Sequence, residues 1–289
     1  MPDLPVLYES DGRLARITLN RPEVLNAIDD ALPAALESAV KRANSDQKVR
    51  AIILAGTGRS FCTGYDLNYY AQPSGTNPGI QEMPWDPMKD FSFMQNTTSQ
   101  IMSVWRSHLP VICKVQGYAI AGGSDIALCA DLLVMGQNAK IGYPPARVWG
   151  CPTTAMWVYR LGVERAKRML LSGDLIDGLQ AERWGLGQTV PESELDSEVE
   201  NIAQRMVTIP RNQLVMQKLM VNQVLENMGL ASSQVLATLF DGITRHSPEG
   251  INFKKRAETF GWKRAVQDRD QGSFDWTKNI PFTKNELES

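Results

Sequence analysis

Residues 110–125 read PVICKVQGYAIAGGSD, and the succession of residue types along this stretch decides the fold class. Residues 111–115 (VICKV), apolar but for Lys114, read as a buried strand. They pass through Gln116, Gly117 and Tyr118 into Ala121, Gly122, Gly123, Ser124 and Asp125. Residues 126–130 then read as a short buried helix, and residues 132–135 as another strand. Glycines between a strand and a helix place free N–H groups and the positive end of the helix where backbone can approach a ligand closely. Taken alone, the same glycines equally permit tight strand–helix packing.

Toward the N-terminus, residues 13–20 (RLARITLN) alternate over one strand length and are stopped by Arg21 and Pro22. Asp29 or Asp30 is placed to cap a helix carrying Leu32, Leu36, Ala39, Val40 and Ala43 on one face. Residues 49–54 (VRAIIL) are a second buried strand. Strand, helix, strand at this spacing points to an α/β protein rather than an all-α one. Residues 71–90 are broken by prolines and glycines and predict a long ordered loop or lid, with a helix from about 91 to 107. Beyond Thr153 the periodicity is helical, near 164–171, 194–207, 213–228 and 230–245, with no further strand-rich region. The chain divides into an α/β core, residues 1–200, and a helical C-terminal region, residues 201–289, whose tail beyond Asp270 is polar.

Composition narrows the function. The 289 residues carry a net charge of −2, which leaves no basic footprint for nucleic acid. No apolar stretch is long enough to span a bilayer, and the first residues lack the pattern of a signal peptide. Cys62, Cys113, Cys129 and Cys151 show no CxxC spacing, and only His108 and His246 are present. Reduced thiols in a cytoplasmic protein are expected, with no metal site and no histidine-based triad.

Four fragments, in order, resemble the crotonase (enoyl-CoA hydratase/isomerase) family. They are residues 19–27 (LNRPEVLNA), residues 61–67 (FCTGYDL, the family's FxxGxDL segment), residues 110–131, and residues 172–186 with their AERWGL ending. The likeness runs over about residues 8 to 260. It implies a spiral of ββα units with a helical C-terminal trimerisation region, acting on an acyl-CoA thioester. A homotrimer or hexamer is implied, and CoA enters as part of the substrate with no separate cofactor. Such chemistry puts negative charge on the thioester oxygen, which two aimed backbone N–H groups stabilise selectively. By resemblance those donors are the N–H groups of Tyr65 and Gly122. The CoA pocket falls by the same resemblance on Val24, Ala27, Gly64, Asp66 and Leu67, with Asp66 as a loop brace. Lys254, Lys255, Lys263 and Arg264 are candidates for the CoA phosphates, although such a run is also an ordinary solvated helix face.

Hydratases of this family use two glutamates. The place of the first holds Asp125, either a working acid or a first-turn acid on the helix dipole. The second falls in the stretch aligned with residues 141–150, yet no Asp or Glu occurs between Asp131 and Glu164. That acid is missing unless another segment supplies it, with Glu82, Asp86 and Asp90 of the loop as candidates. Tyr143, Arg147, Trp149, Cys151, Thr153 and Thr154 remain to shape an acyl pocket, and Tyr69, Tyr70, Met83, Trp85 and Met88 would suit a bulky acyl group. One acid suffices for double-bond isomerisation. Hydrolysis of a thioester or C–C bond, or acyl-CoA binding without turnover, are the alternatives.

Overall fold

In the computed structural model, which describes residues 4–77 and 79–278, the chain opens with two strands, β1 (Val6–Ser10) and β2 (Leu14–Leu19), paired antiparallel. Helix α1 (Leu32–Ser45) then crosses to β3 (Ala51–Gly56), which lies parallel to β2. After the short α2 (Leu67–Tyr70) and the longer α3 (Pro87–Ile101), β4 (Val111–Val115) extends the sheet beside β3. The chain leaves this sheet for β5 (Tyr118–Ile120) and α4 (Gly122–Leu128), then returns through β6 (Leu132–Gly136). Strand β7 (Lys140–Gly142), helix α5 (Met156–Ser172), β8 (Leu175–Asp177), α6 (Gly178–Arg183), β9 (Gln188–Val190) and α7 (Leu195–Met206) follow. The result is a six-stranded sheet, β1-β2-β3-β4-β6-β9, and a three-stranded one, β5-β7-β8.

Strands covered on both faces explain the apolar runs of β3 and of β4, where Lys114 alone is charged. Ile52, Leu54, Cys113 and Val115 face the core shared with α1, α4 and α5, whereas Ala51, Ile53, Ile112 and Val134 pack on Leu195, Val199, Ile202 and Ala203 of α7. Four more helices complete the described chain: α8 (Arg211–Asn227), α9 (Leu230–His246), α10 (Pro248–Phe260) and α11 (Trp262–Gln271). The expected helical region therefore contains α8 to α11, and its last residues, 279–289, lie outside the described residues.

Three expectations need correction. The helix predicted from residue 91 begins at Pro87 and ends at Ile101, because Asp86 accepts hydrogen bonds from Met88 N at 3.0 Å and Lys89 N at 3.2 Å and Pro87 suits the first turn. Beyond Thr153 the chain is not purely helical: β8 and β9 are three residues each, too short for alternation to register. Of the two acids proposed to cap α1, Asp29 meets the backbone, accepting from Ala31 N and Leu32 N. Asp30 instead receives the hydroxyls of Tyr69 (2.8 Å) and Tyr70 (2.5 Å).

Candidate active site

Two peptide units bring the expected donors together. Residues 62–65 run alongside residues 118–122, tied by Cys62 N to Tyr118 O at 2.9 Å and Ile120 N to Cys62 O at 3.0 Å. The Gly64 carbonyl accepts from Ile28 N at 2.8 Å. In a planar trans peptide the Tyr65 N–H then points the opposite way. The Ala121 carbonyl accepts from Ser124 N (2.9 Å), Ser124 Oγ (2.6 Å) and Asp125 N (3.1 Å), which turns the Gly122 N–H outward by the same logic. Among the described residues neither N–H donates to a protein acceptor.

Glycine is required at both places. Gly64 has φ +89°, and a Cβ there would stand 2.7 Å from the Ala121 Cβ and 3.4 Å from the Gly122 nitrogen. A Cβ on Gly122 would meet Ile28 Cδ1 at 2.7 Å and the Tyr65 ring at 3.0 Å. Ala121, held at φ 54°, ψ −126°, is a non-glycine residue in sparsely populated backbone space, a strain that costs about 1–3 kcal/mol and recurs at functional sites.

Asp125 projects from the first turn of α4 and is buried. Thr154 Oγ donates to its Oδ1 at 2.6 Å. Burial pushes the carboxyl up to about 8; the Thr154 hydrogen bond opposes the shift and the charge of Asp241 adds to it. At neutral pH the group is a protonated acid. Burial, then the charges of Asp241 and Asp125, also raise the Tyr65 phenol, which stays neutral. Tyr143 is buried in the same field. The Cys151 thiol is pushed up to about 12 by burial and then by the two aspartates, so it is no nucleophile.

Sequence reasoning missed Asp241. It sits on α9, buried, with Oδ1 accepting from Cys151 N at 3.0 Å and Oδ2 from Arg245 Nε at 3.1 Å. Arg245 Nη2 reaches Asp90 at 2.9 Å, and Nη1 donates to the Gly79 carbonyl. One signal existed: Asp241 is the only acid between Glu226 and Glu249, and it stands four residues before an arginine.

The loop acids are accounted for elsewhere. Asp90 is Arg245's partner, Asp86 caps α3, and Glu82 is exposed. The bulky loop residues do not converge either. Tyr69 and Tyr70 are held by Asp30, Met83 and Met88 are exposed, and Trp85 stacks on His246 with centroids 4.9 Å apart. Gln81 N donates to His246 Nε2 at 3.1 Å, so the proton sits on Nδ1, 2.8 Å from the Gly242 carbonyl. Arg147 clasps Asp174 and the Ser172 carbonyl, whereas Trp149 stacks on Phe253 and Trp157 is fully buried.

The expected CoA rim is one braced unit. Val24 ends a single 3-10 turn, and Arg21, which opens that turn, donates to the Ala27 carbonyl and lies 3.3 Å from Asp66. Asp66 in turn caps α2, which begins at Leu67, by accepting from Asn68 N at 3.1 Å. Asn26, fully buried, holds the Thr57 and Ser60 carbonyls, both at 2.9 Å, and accepts from Arg21 N at 2.7 Å. Of the cation candidates, Lys254 pairs with Glu258 at 2.5 Å and Arg264 with Asp268 at 3.0 Å, and Lys263 lies over the Trp262 ring.

The fold and the order of these segments define a crotonase-type enzyme. The chain belongs to the enoyl-CoA hydratase/isomerase family, which its residues 9–264 match, and it is an enzyme of that class. It is similar to the crystal structure of an enoyl-CoA hydratase from Mycobacterium smegmatis, at 43% identity over 93% of this chain and 94% of that one, with a TM-score of 0.87. A probable mitochondrial enoyl-CoA hydratase of Dictyostelium discoideum is 30% identical over 218 residues, 74% of either chain. A 1,2-epoxyphenylacetyl-CoA isomerase of Escherichia coli is 29% identical over 236 residues, 77% of this chain and 83% of that one. No described helix is long and apolar enough to cross a membrane.

Proposed function

We propose that the protein binds an unsaturated acyl-CoA and adds to or shifts its double bond through a thioester enolate, held by the Tyr65 and Gly122 N–H groups and served by Asp125 as the acid/base. The carrying observation is the pair of unengaged N–H groups, each set opposite an anchored carbonyl, beside a buried carboxyl. Donors fixed before the reaction cost no reorganisation when charge develops, and losing one costs about 10²–10³-fold in rate. Asp125, protonated at neutral pH, is suited to deliver a proton to the α carbon.

Val24, Ala27, Gly64, Asp66 and Leu67 form the CoA rim in this reading, supported by the brace of Arg21 and Asp66. CoA comes with the substrate and no separate cofactor is used. The chain acts as a homotrimer or hexamer, its core in residues 1–200 and its assembly region in 201–289. Exposed Met216, Leu219, Met220 and Val224 of α8 support that assembly. Four free cysteines support a reducing, cytoplasmic setting.

The test is a turnover screen over enoyl-, dienoyl-, cyclic and 3-oxoacyl-CoA thioesters with Asp125→Asn beside the wild type. Turnover of an enoyl-CoA that vanishes in the variant is expected. Tight binding without turnover on every thioester would sink the reading.

A further inference from the structure

We propose that Asp241 of α9 is the second carboxylate of the acyl site and the base that activates water, making the reaction a hydration. This rests on the oxyanion-hole and Asp125 reading above and goes beyond it.

Asp241 is buried, as Asp125 is, and the segment 151–154 joins the two. Cys151 donates its N–H to Asp241 at 3.0 Å, and three residues later Thr154 donates its hydroxyl to Asp125 at 2.6 Å. Helix α9 also fixes that segment through Gln234 Nε2, which donates to the Thr154 carbonyl at 3.1 Å. The carboxylates are near enough for Asp241 to raise Asp125, and both act on Tyr65, Tyr143 and Cys151.

The environments of the two acids differ in kind. Among the described residues Asp125 has a hydroxyl donor and no cation, whereas Asp241 faces the Arg245 guanidinium at 3.1 Å. A guanidinium partner favours the carboxylate form of a buried acid. Two carboxyls in such different surroundings, one bonded to a hydroxyl and the other to a guanidinium, are the arrangement that divides acid from base duties. Asp241 accepts one hydrogen bond on each oxygen, which leaves acceptor capacity for a water. Arg245 is itself pinned by Asp90 and the Gly79 carbonyl, so the carboxylate it holds is fixed.

The step balances. Asp241 takes a proton from water as the water oxygen bonds to the β carbon. The π pair of the Cα–Cβ double bond moves into the thioester, whose oxygen carries the charge at the Tyr65 and Gly122 N–H groups. The enolate then collapses and its α carbon takes the proton of Asp125. Asp241 ends protonated and Asp125 ionised, and proton exchange with solvent restores both.

The experiment uses the full-length protein with two readouts: hydration of a four-carbon trans-2-enoyl-CoA, and deuterium uptake at the α carbon of a saturated acyl-CoA in D2O. The second needs Asp125 and the oxyanion hole but no activated water. Asp241→Asn is expected to lower hydration by about 10²-fold or more and leave exchange within a few-fold of wild type, with Asp241→Glu recovering part of the loss. Asp131→Asn breaks a different ion pair, with the buried Lys218 at 2.8 Å, and serves as the control, with hydration expected to stay within a few-fold. Hydration retained in Asp241→Asn, or lost equally in Asp131→Asn, overturns the proposal. So does a wild type that exchanges the α proton but hydrates no enoyl-CoA. A wild type that does neither removes the Asp125 reading itself.

Discussion

Replacing Asp125 by asparagine should change how stability depends on pH, and the size of the effect follows from the burial of the carboxyl. The group ordinarily ionises near 3.8 and is pushed up to about 8 in the folded protein, by burial first and by the charge of Asp241 third, with the Thr154 hydrogen bond opposing. Between about pH 4 and about pH 8 the folded chain therefore keeps a proton that the unfolded chain has lost. Stability must then fall as pH rises, by about 1.4 kcal/mol per pH unit, and the loss stops near pH 8. Over that window the wild type forfeits on the order of 5 kcal/mol. Asparagine keeps the Oδ1 acceptor for Thr154 and nearly the same volume but cannot ionise. Relative to wild type, Asp125→Asn should thus gain stability as pH rises and level off near pH 8. For a chain of this size each kcal/mol moves the melting midpoint by about 2–4 °C, so a difference on the order of 10 °C is expected at the plateau. The assay is a set of thermal melts of both proteins at equal concentration, from about pH 4.5 to about pH 9. A midpoint difference that stays constant with pH would refute the reasoning, because an exposed or already ionised Asp125 gives no such slope.

Other consequences can be checked alongside it. Gly64→Ala should lower kcat by about 10²-fold with a smaller change in stability, because its Cβ meets Ala121 and displaces the Tyr65 and Gly122 donors; steady-state kinetics on an enoyl-CoA reads it. Asn26→Ala leaves the Thr57 and Ser60 carbonyls and the Arg21 N–H without their partner, and chemical denaturation should show a loss of about 2–4 kcal/mol. The Cys62 and Cys151 thiols, pushed up to about 12 chiefly by burial, should resist iodoacetamide at pH 8 in the native protein and react at the ordinary rate after denaturation. The paired change Met220→Glu and Val224→Glu, on the exposed face of α8, should reduce the assembled mass seen by light scattering.

The parts of the fold legible in the sequence are those governed by local pattern. The alternation of residues 14–19, the apolar runs of β3 and β4, and the amphipathic α7 and α9 each carry their own periodicity, and the observed elements agree with it to within a few residues. The start of α3 was hidden because an acid and a proline read as loop residues until the side chain of Asp86 is seen to meet two backbone N–H groups. β8 and β9 were hidden because three residues hold no period, and their partners, β7 and β6, are distant in sequence. In the candidate site, Tyr65, Gly122 and Asp125 lie in motifs whose spacing is local. The surroundings of Asp125 are not local: Thr154 and Asp241 come from 29 residues downstream and from a C-terminal helix that no motif covers.

Helix α9 explains why that last residue matters. Ala237, Thr238, Asp241, Arg245 and His246 are buried and recur at three- and four-residue intervals along one face, whereas Leu236, Phe240 and Ile243 lie exposed on the other. The inward face holds a carboxylate against Arg245 and the 151–154 segment, so the helix must keep its position for the two aspartates to stay together. The outward face is apolar and, in the proposed assembly, is covered by another subunit. A helix packed on both faces holds a buried charge more rigidly than one frayed on its solvent side, because opening it would expose Arg245 and Asp241 to water one at a time. Assembly and water activation then depend on the same helix. Phe240→Glu, on the outward face, should therefore lower hydration together with assembled mass, while the Asp125-dependent exchange falls less. Equal loss of both activities in that variant would mean that α9 supports the whole site rather than the position of Asp241.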